Sequence, residues 1–292
     1  MLNNYYTVIT GASLGFGRTL ALECAYRKMN LILVALPGEG LHNLADSIKN
    51  TYLIDAIPLE IDLSDDHGCH RLYHEVVTRG LEVNMLINNA GVGSTEFFSK
   101  GNIKQYQQQI KLNVLATTMI THLFLEMLKK NAPSYVMNVG SLASFFSLPK
   151  KQVYGATKSY IFYFSKSLRK EVKKENVFVS IVCPGGMYTN TIIRQLIESG
   201  SYLSRLSSMS PKDVAPVALN GLLKKKAVII PGKINKTLVF LNTCLPRFVV
   251  NFLEARAMQK LHTPYTIMDN KKSNQIPVYA LPLGIKKNYV NK

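Results

Sequence analysis

The chain reads as an α/β protein: a Rossmann-type, doubly wound parallel sheet of seven strands, with helices on both faces and a C-terminal helical extension. Two observations predict this. Short β-branched or apolar runs alternate with helix-period stretches, and the first run leads straight into a glycine-rich turn that opens a helix. Apolar strands without alternation need cover on both faces, which crossover helices supply, so the sheet is expected to be parallel. Its ligand is then expected beyond the carboxyl ends of the strands, where the winding direction switches.

The strands are expected at Tyr5 to Thr10, Leu31 to Ala35, Ile57 to Ile61, Met85 to Asn88, Tyr135 to Val139, Val177 to Val182 and Ala227 to Ile230. Helices are expected at Arg18 to Arg27, Gln105 to Lys129 and Gln152 to Glu175. From Lys233 to Leu261 apolar residues recur at helical spacing among Lys233, Lys236, Arg247, Arg256 and Lys260, and Pro246 divides them into two short amphipathic helices. The organisation is therefore a Rossmann-type domain over 1–232, an amphipathic extension over 233–261, and a basic, loosely ordered tail over 262–292.

A chain of 292 residues, 47% of them hydrophobic, can bury a large core, and its glycines and prolines follow no period, which excludes collagen-like and repeat architectures. Cys24, Cys69, Cys183 and Cys244 are scattered, with no Cys-x-x-Cys pair and no zinc-finger spacing, so a reduced, cytoplasmic protein without a metal is expected. The start, Met1 to Thr10, lacks the basic and apolar blocks of a signal peptide. No stretch approaches the about 18 apolar residues of a spanning helix. The net charge of +17 is uneven: from Gly221 onward 13 Lys and Arg face only Glu254 and Asp269. Nucleic acid is not the expected partner, since that region has no finger, zipped basic helix or aromatic RNA platform. A solvated face or peripheral contact with an anionic membrane at its inner face remain.

The turn after the first strand is Thr10-Gly11-Ala12-Ser13-Leu14-Gly15-Phe16-Gly17. Its glycines let backbone approach a pyrophosphate, and the helix amides behind them favour the anion. Tyr154 and Lys158 are four residues apart near the start of a helix, hence on one face. An ammonium beside a phenol favours the phenolate and draws the tyrosine toward the operating pH, which makes Tyr154 a candidate proton donor. None of the six histidines stands by a nucleophile elbow, and His70 and His74 lack the further ligands of a zinc site. A Ser-His-Asp hydrolase is excluded.

With Asp62-Leu63 after the third strand, Asn88-Asn89-Ala90-Gly91 after the fourth, then Asn113, Ser141, Tyr154-x-x-x-Lys158, and Pro184-Gly185 followed by Thr189, the chain resembles the short-chain dehydrogenase/reductase family over about residues 4 to 232. After that core, a Pro-Gly-x-x-Asn-Lys stretch and a Leu-Pro-Arg helix resemble the broad-specificity bacterial subgroup named for D-alanine-transfer operons. The resemblance implies a catalytic set of Asn113, Ser141, Tyr154 and Lys158. Ser141, thirteen residues before Tyr154, would polarise the substrate oxygen; Ser144 and Ser147 are nearby competitors. Asn113 would hold a water linking the lysine to solvent. The implied cofactor site comprises Gly11, Ser13, Gly15, Phe16 and Gly17 in the turn, Asp62 and Leu63 at the adenine edge, and Asn89, Ala90 and Gly91 offering backbone donors. Pro184, Gly185 and Thr189 would meet the nicotinamide and phosphates, with Lys158, beside Tyr154, on the nicotinamide ribose.

Dinucleotide choice is read after the second strand, where Val34-Ala35-Leu36-Pro37-Gly38-Glu39 has neither an Asp at the strand end nor an Arg pair. The missing carboxylate and the hydroxyl of Ser13 lean toward NADP over NAD. Glu39 takes the NAD role instead if the Pro-Gly turn folds back. The implied reaction interconverts a ketone or aldehyde and an alcohol on a small apolar substrate, flanked by Phe145, Phe146, Leu148, Met187, Tyr188, Ile192 and Ile193, which serve equally well as core. A homo-oligomer is the expected assembly. The rival reading, a silent nucleotide sensor or scaffold, is disfavoured because Ser141, Tyr154 and Lys158 are all present.

Overall fold

In the computed structural model, which describes residues 5–189, 191–198 and 202–246, the seven apolar runs are strands of one sheet. They are β1 (Tyr6–Thr10), β2 (Asn30–Ala35), β3 (Ala56–Glu60), β4 (Val83–Asn88), β5 (Ser134–Val139), β6 (Val177–Val182) and β7 (Val228–Ile229). All neighbours are parallel, in the order β3-β2-β1-β4-β5-β6-β7. The order reverses between β1 and β4, so a crevice opens beyond their carboxyl ends.

Burial explains why the strands carry no polar alternation. In the central strands successive residues point to opposite faces, and both faces are covered. Ile9, Leu33, Ile87 and Met137 enter one core with α1 (Gly15–Tyr26), α2 (Leu41–Tyr52) and α9 (Pro211–Leu223). Their neighbours Val8, Ile32, Leu86 and Val136 enter the other, with Leu72 of α3 (Gly68–Thr78) and Phe124 of α5 (Thr117–Lys130).

Three helices depart from the sequence reading. The helix expected from Arg18 begins at Gly15, so the last glycines of the turn are already its first residues. The single helix expected over Gln105 to Lys129 is α4 (Ile103–Ile110), a π-helical segment (Lys111–Ala116) and α5. The next, α6 (Gln152–Val172), ends in a 3₁₀ turn at Lys173–Glu175, and Asn176 takes a left-handed conformation. Beyond β6 lie α7 (Thr191–Glu198) and α8 (Tyr202–Ser207). Past β7 the compact unit continues through Pro246. It includes the first amphipathic helix, α10 (Lys233–Cys244), while the second lies outside the described residues. Among the described residues no helix is long and apolar enough to cross a membrane.

Candidate active site

The turn between β1 and α1 is closed by Asn89 and Thr10. The Asn89 amide donates to the carbonyls of Thr10 and Gly11 at 3.0 and 3.1 Å. A Cβ on Gly17 would lie 1.9 Å from the Gly11 carbonyl oxygen, so only glycine lets the helix start this close to the strand end. Leu14 precedes α1 without a side-chain cap, which leaves the first helix amides for an anion. Thr189 reaches this turn from the loop after β6, its side chain 3.4 Å from where a Cβ on Gly15 would stand. Phe16 is buried in the core, so its backbone alone serves the turn.

Asn89 and Ala90 are not free donors as expected. Both of their N–H groups donate to the Thr10 hydroxyl at 3.0 Å, so the segment through Gly91 forms a wall of the crevice. Thr10 is the residue missed here; its position directly before Gly11 was the available signal. Leu63 is likewise packed in the core, leaving only its backbone for the adenine edge. The Asp62 carboxylate accepts from the N–H and hydroxyl of Ser64.

Tyr154, Ser141 and Lys158 come together. Tyr154 and Lys158 project from successive turns of α6, and the Tyr154 ring lies against Gly93, 3.0 Å from where a Cβ there would stand. Ser141 sits just past β5 in extended backbone, its oxygen accepting from Ala143 N–H at 3.1 Å, and its hydroxyl stands close enough to the Tyr154 phenol to pull that group's pKa down. Its competitors are placed elsewhere. The Ser144 hydroxyl donates to the Lys158 carbonyl at 2.9 Å, and Ser147 is exposed.

Lys158 is 6% exposed, and its Nζ donates to the Val139 carbonyl at 2.8 Å, close to Gly91. Burial lowers this ammonium to about 8. The sequence reading expected it to draw the phenol down. Instead Nζ lies 5.8 Å from the Tyr154 ring centroid, and burial raises Tyr154 against the smaller opposing pull of the nearby Ser141 hydroxyl. The phenol is therefore held protonated.

Asn113 falls in the π segment and is buried. Its amide oxygen accepts from Val92 N–H at 2.9 Å, and its nitrogen donates to the Val92 carbonyl and the Thr157 hydroxyl at 2.9 and 3.0 Å. Its side chain thus ties the wall of the crevice to α6, and its nitrogen has no proton left for a water.

Pro184 is buried, and Gly185 packs so tightly under Ser207 that a Cβ would meet that carbonyl at 2.3 Å. Asn235 of α10 is buried beside them and donates to the carbonyls of Ser207 and Pro231 at 3.0 and 2.8 Å. Sequence reasoning saw the Pro-Gly-x-x-Asn-Lys pattern without a role for this residue. Of the apolar candidates, Phe145 is in edge contact with Phe162 and Met187 packs on the main core, whereas Phe146, Leu148 and Tyr188 stay partly exposed. The side chains of Ile192 and Ile193 lie outside those described.

Glu39 does fold back. Its carboxylate accepts the hydroxyl proton of Ser13. The Ser13 hydroxyl on which the lean toward NADP partly rested is thereby engaged, while the strand end itself, at Ala35 and Leu36, carries no carboxylate.

The sequence pattern of the short chain dehydrogenase family matches residues 6–197. The chain is 27% identical over 239 residues to a 3-oxoacyl-(acyl-carrier-protein) reductase of Aquifex aeolicus, covering 80% of this chain and 95% of the relative. It is 29% identical over 239 residues to an NADP-dependent 3-hydroxy acid dehydrogenase of Schizosaccharomyces pombe, covering 80% and 91%. A short-chain dehydrogenase of Sphingobium yanoikuyae, solved in complex with NADPH, shares the fold with a TM-score of 0.71 at 22% identity, covering 92% and 100% of the two chains.

Proposed function

The chain belongs to the short-chain dehydrogenase family, and from that membership we propose an oxidoreductase that interconverts a ketone or aldehyde and an alcohol on an apolar substrate, using a nicotinamide dinucleotide. The residues fit that cofactor: uncapped amides open α1, glycines clear the approach to it, and Lys158 is buried beside Gly91 where a ribose would pass. When bound, the dinucleotide supplies or accepts the hydride.

The chain's own residues handle the proton and the oxygen. Tyr154 donates its phenolic proton to the carbonyl oxygen in reduction and takes the hydroxyl proton in oxidation. Ser141 hydrogen-bonds the same oxygen and stabilises the charge that develops on it. Lys158 holds the ribose and, as an ammonium, favours the phenolate left after transfer. Asn113 fixes the crevice wall against α6. The observation that carries this reading is the convergence of the Ser141 hydroxyl on the Tyr154 phenol, with the buried Lys158 one turn along the same helix. The test is a screen of apolar ketones and aldehydes, followed by loss of reduced-cofactor absorbance, with Tyr154→Phe as control. Binding of the dinucleotide without turnover of any carbonyl would overturn it.

Self-association is part of the proposal. Ile110 of α4, Val114 of the π segment and Val153 and Ala156 of α6 line an apolar groove of about 410 Å³, with Leu115 47% exposed and Tyr163 65% exposed nearby. A solvated monomer gains nothing from such a surface, whereas a second copy would bury it. Peripheral contact of a cytoplasmic protein with an anionic membrane through 233–261 is supported by the outer face of α10, where Ile234, Phe240 and Leu241 are exposed beside Lys233 and Lys236.

A further inference from the structure

Tyr154 has a second ammonium beside it. Lys151, the N-cap of α6, stands three residues before the tyrosine and Lys158 four after it, so the three share one face of the helix start. Each Nζ lies 5.8 Å from the Tyr154 ring centroid. The two ammoniums are placed differently. Lys158 is buried and donates to the Val139 carbonyl. Lys151 is half-buried, and among the described residues its Nζ has neither a hydrogen-bond acceptor nor an ion-pair partner.

The backbone sends Lys151 there at a cost. Lys150, the residue before it, has φ +63°, a left-handed conformation that a residue with a side chain adopts only under constraint. The turn is held by Glu96 N–H on the Lys150 carbonyl at 2.9 Å and by Lys151 N–H on the Leu148 carbonyl at 3.2 Å. It separates two consecutive lysines: the Lys150 Nζ lies 4.3 Å from the Phe97 ring centroid, and that of Lys151 over Tyr154. A lysine on an open surface keeps its head in water. Here burial without a counter-charge holds the Lys151 ammonium below the ordinary lysine value, a loss that the ring offsets only in part.

The ring under this ammonium is the one whose hydroxyl meets the reacting oxygen, so a partner that arrives with the substrate completes the pair. A single ammonium, with its neighbour Lys150 engaged on Phe97, matches one carboxylate rather than a phosphate dianion. Resting on the oxidoreductase reading above, we propose that Lys151 determines specificity by pairing with a substrate carboxylate, so that the chain acts on oxo acids and the corresponding hydroxy acids, with the carboxylate a few bonds from the reacting carbon. In reduction the carbonyl carbon gains the hydride of the reduced dinucleotide and its oxygen gains the Tyr154 proton, while the carboxylate stays on Lys151 and leaves unchanged. A neutral ketone leaves the ammonium without a partner, and that difference sets the preference.

The full-length chain is assayed with reduced dinucleotide on straight-chain oxo acids of graded length and on the methyl ester of each. The best acid exceeds its ester in kcat/KM by at least about tenfold. Lys151→Met brings that ratio to about one, chiefly by raising the KM of the acid. Lys151→Arg keeps most of it, and Lys150→Met leaves it in place. Thermal unfolding and dinucleotide titration of each variant check the fold. Saturated acids of matching length compete with the ester for the unmodified chain whereas their own methyl esters do not, a readout that needs no variant. Acids no better than their esters, or a ratio that Lys151→Met leaves unchanged, overturn the inference while leaving the oxidoreductase standing. Failure to reduce any carbonyl overturns that reading itself, and the specificity with it.

Discussion

Asn113 holds Val92 at both ends of its peptide pair, accepting from the N–H and donating to the carbonyl at 2.9 Å each. One side chain thereby stands in for a neighbouring strand. Replacing Asn113 with Ala leaves two backbone groups and the Thr157 hydroxyl without that partner. We predict a loss of stability of about 2 to 4 kcal/mol, read by urea unfolding. Dinucleotide affinity should fall with it, because Val92 continues the wall formed by Asn89, Ala90 and Gly91. Unchanged stability would mean that water replaces all three bonds.

Tyr154→Phe keeps the ring on Gly93 and removes only the hydroxyl. Turnover should fall by about 10² to 10⁴, with dinucleotide affinity nearly unchanged. Ser141→Ala should lower turnover by about 10² and also removes the acceptor for Ala143 N–H. Steady-state rates beside fluorescence titrations separate chemistry from binding. Undiminished turnover in Tyr154→Phe removes that residue from the reaction.

The buried ammonium of Lys158 gives a pH signature. Its proton is held less tightly in the fold, at about 8, than the ordinary lysine value of 10.5. Between those values the unfolded chain binds the proton and the folded chain does not, so this group's contribution to stability rises with pH across that window and is flat below it. The unmodified chain should gain on Lys158→Met by up to about 3 kcal/mol over the window. Urea unfolding of both proteins at about pH 7.5 and about pH 10 checks the sign, and a constant difference between them would contradict the burial.

The outer face of α10 makes a prediction about location. Phe240, 64% exposed, and Leu241 should insert at an anionic interface, with Lys233 and Lys236 adding about 1 kcal/mol each. Sedimentation with anionic vesicles at low salt should carry the protein down, neutral vesicles should not, and a Phe240→Glu, Leu241→Glu double variant should stay in solution. These two positions are chosen because they leave Asn235 and the buried Val239 untouched. A protein that stays in the supernatant in every case places this face elsewhere.

The sheet was legible because each strand is a run of apolar residues covered on two sides, a requirement that neighbours cannot alter. That Tyr154 and Lys158 share one face of α6 was legible from their four-residue spacing, whereas Ser141 was picked out by the resemblance to the family. The start of α1 was not, because glycine ordinarily opposes a helix, and the closeness of Gly17 to the Gly11 carbonyl is a fact of three dimensions. The same holds for Asn113, since nothing in Lys-Leu-Asn-Val-Leu-Ala marks a π segment. Pro37-Gly38-Glu39-Gly40 announced a turn but not its direction, which depends on Ser13, 26 residues away. Asn235 finds its acceptor 28 residues back at Ser207, beyond any local pattern.

A π-helical segment holds one residue more per turn than an α-helix, and each α-helical residue turns the chain by about 100°. Lys111–Ala116 therefore acts as a phase shifter between α4 and α5. Gln109, buried against the Ser94 hydroxyl, and Asn113, buried against Val92, both face the crevice wall, one from each side of this change of pitch. The length of this helix is consequently a coded quantity: removing a single residue from the segment would restore an ordinary α-helix, rotate everything before it by about a quarter turn, and uncouple the loop that supports Tyr154 from the helix that braces it.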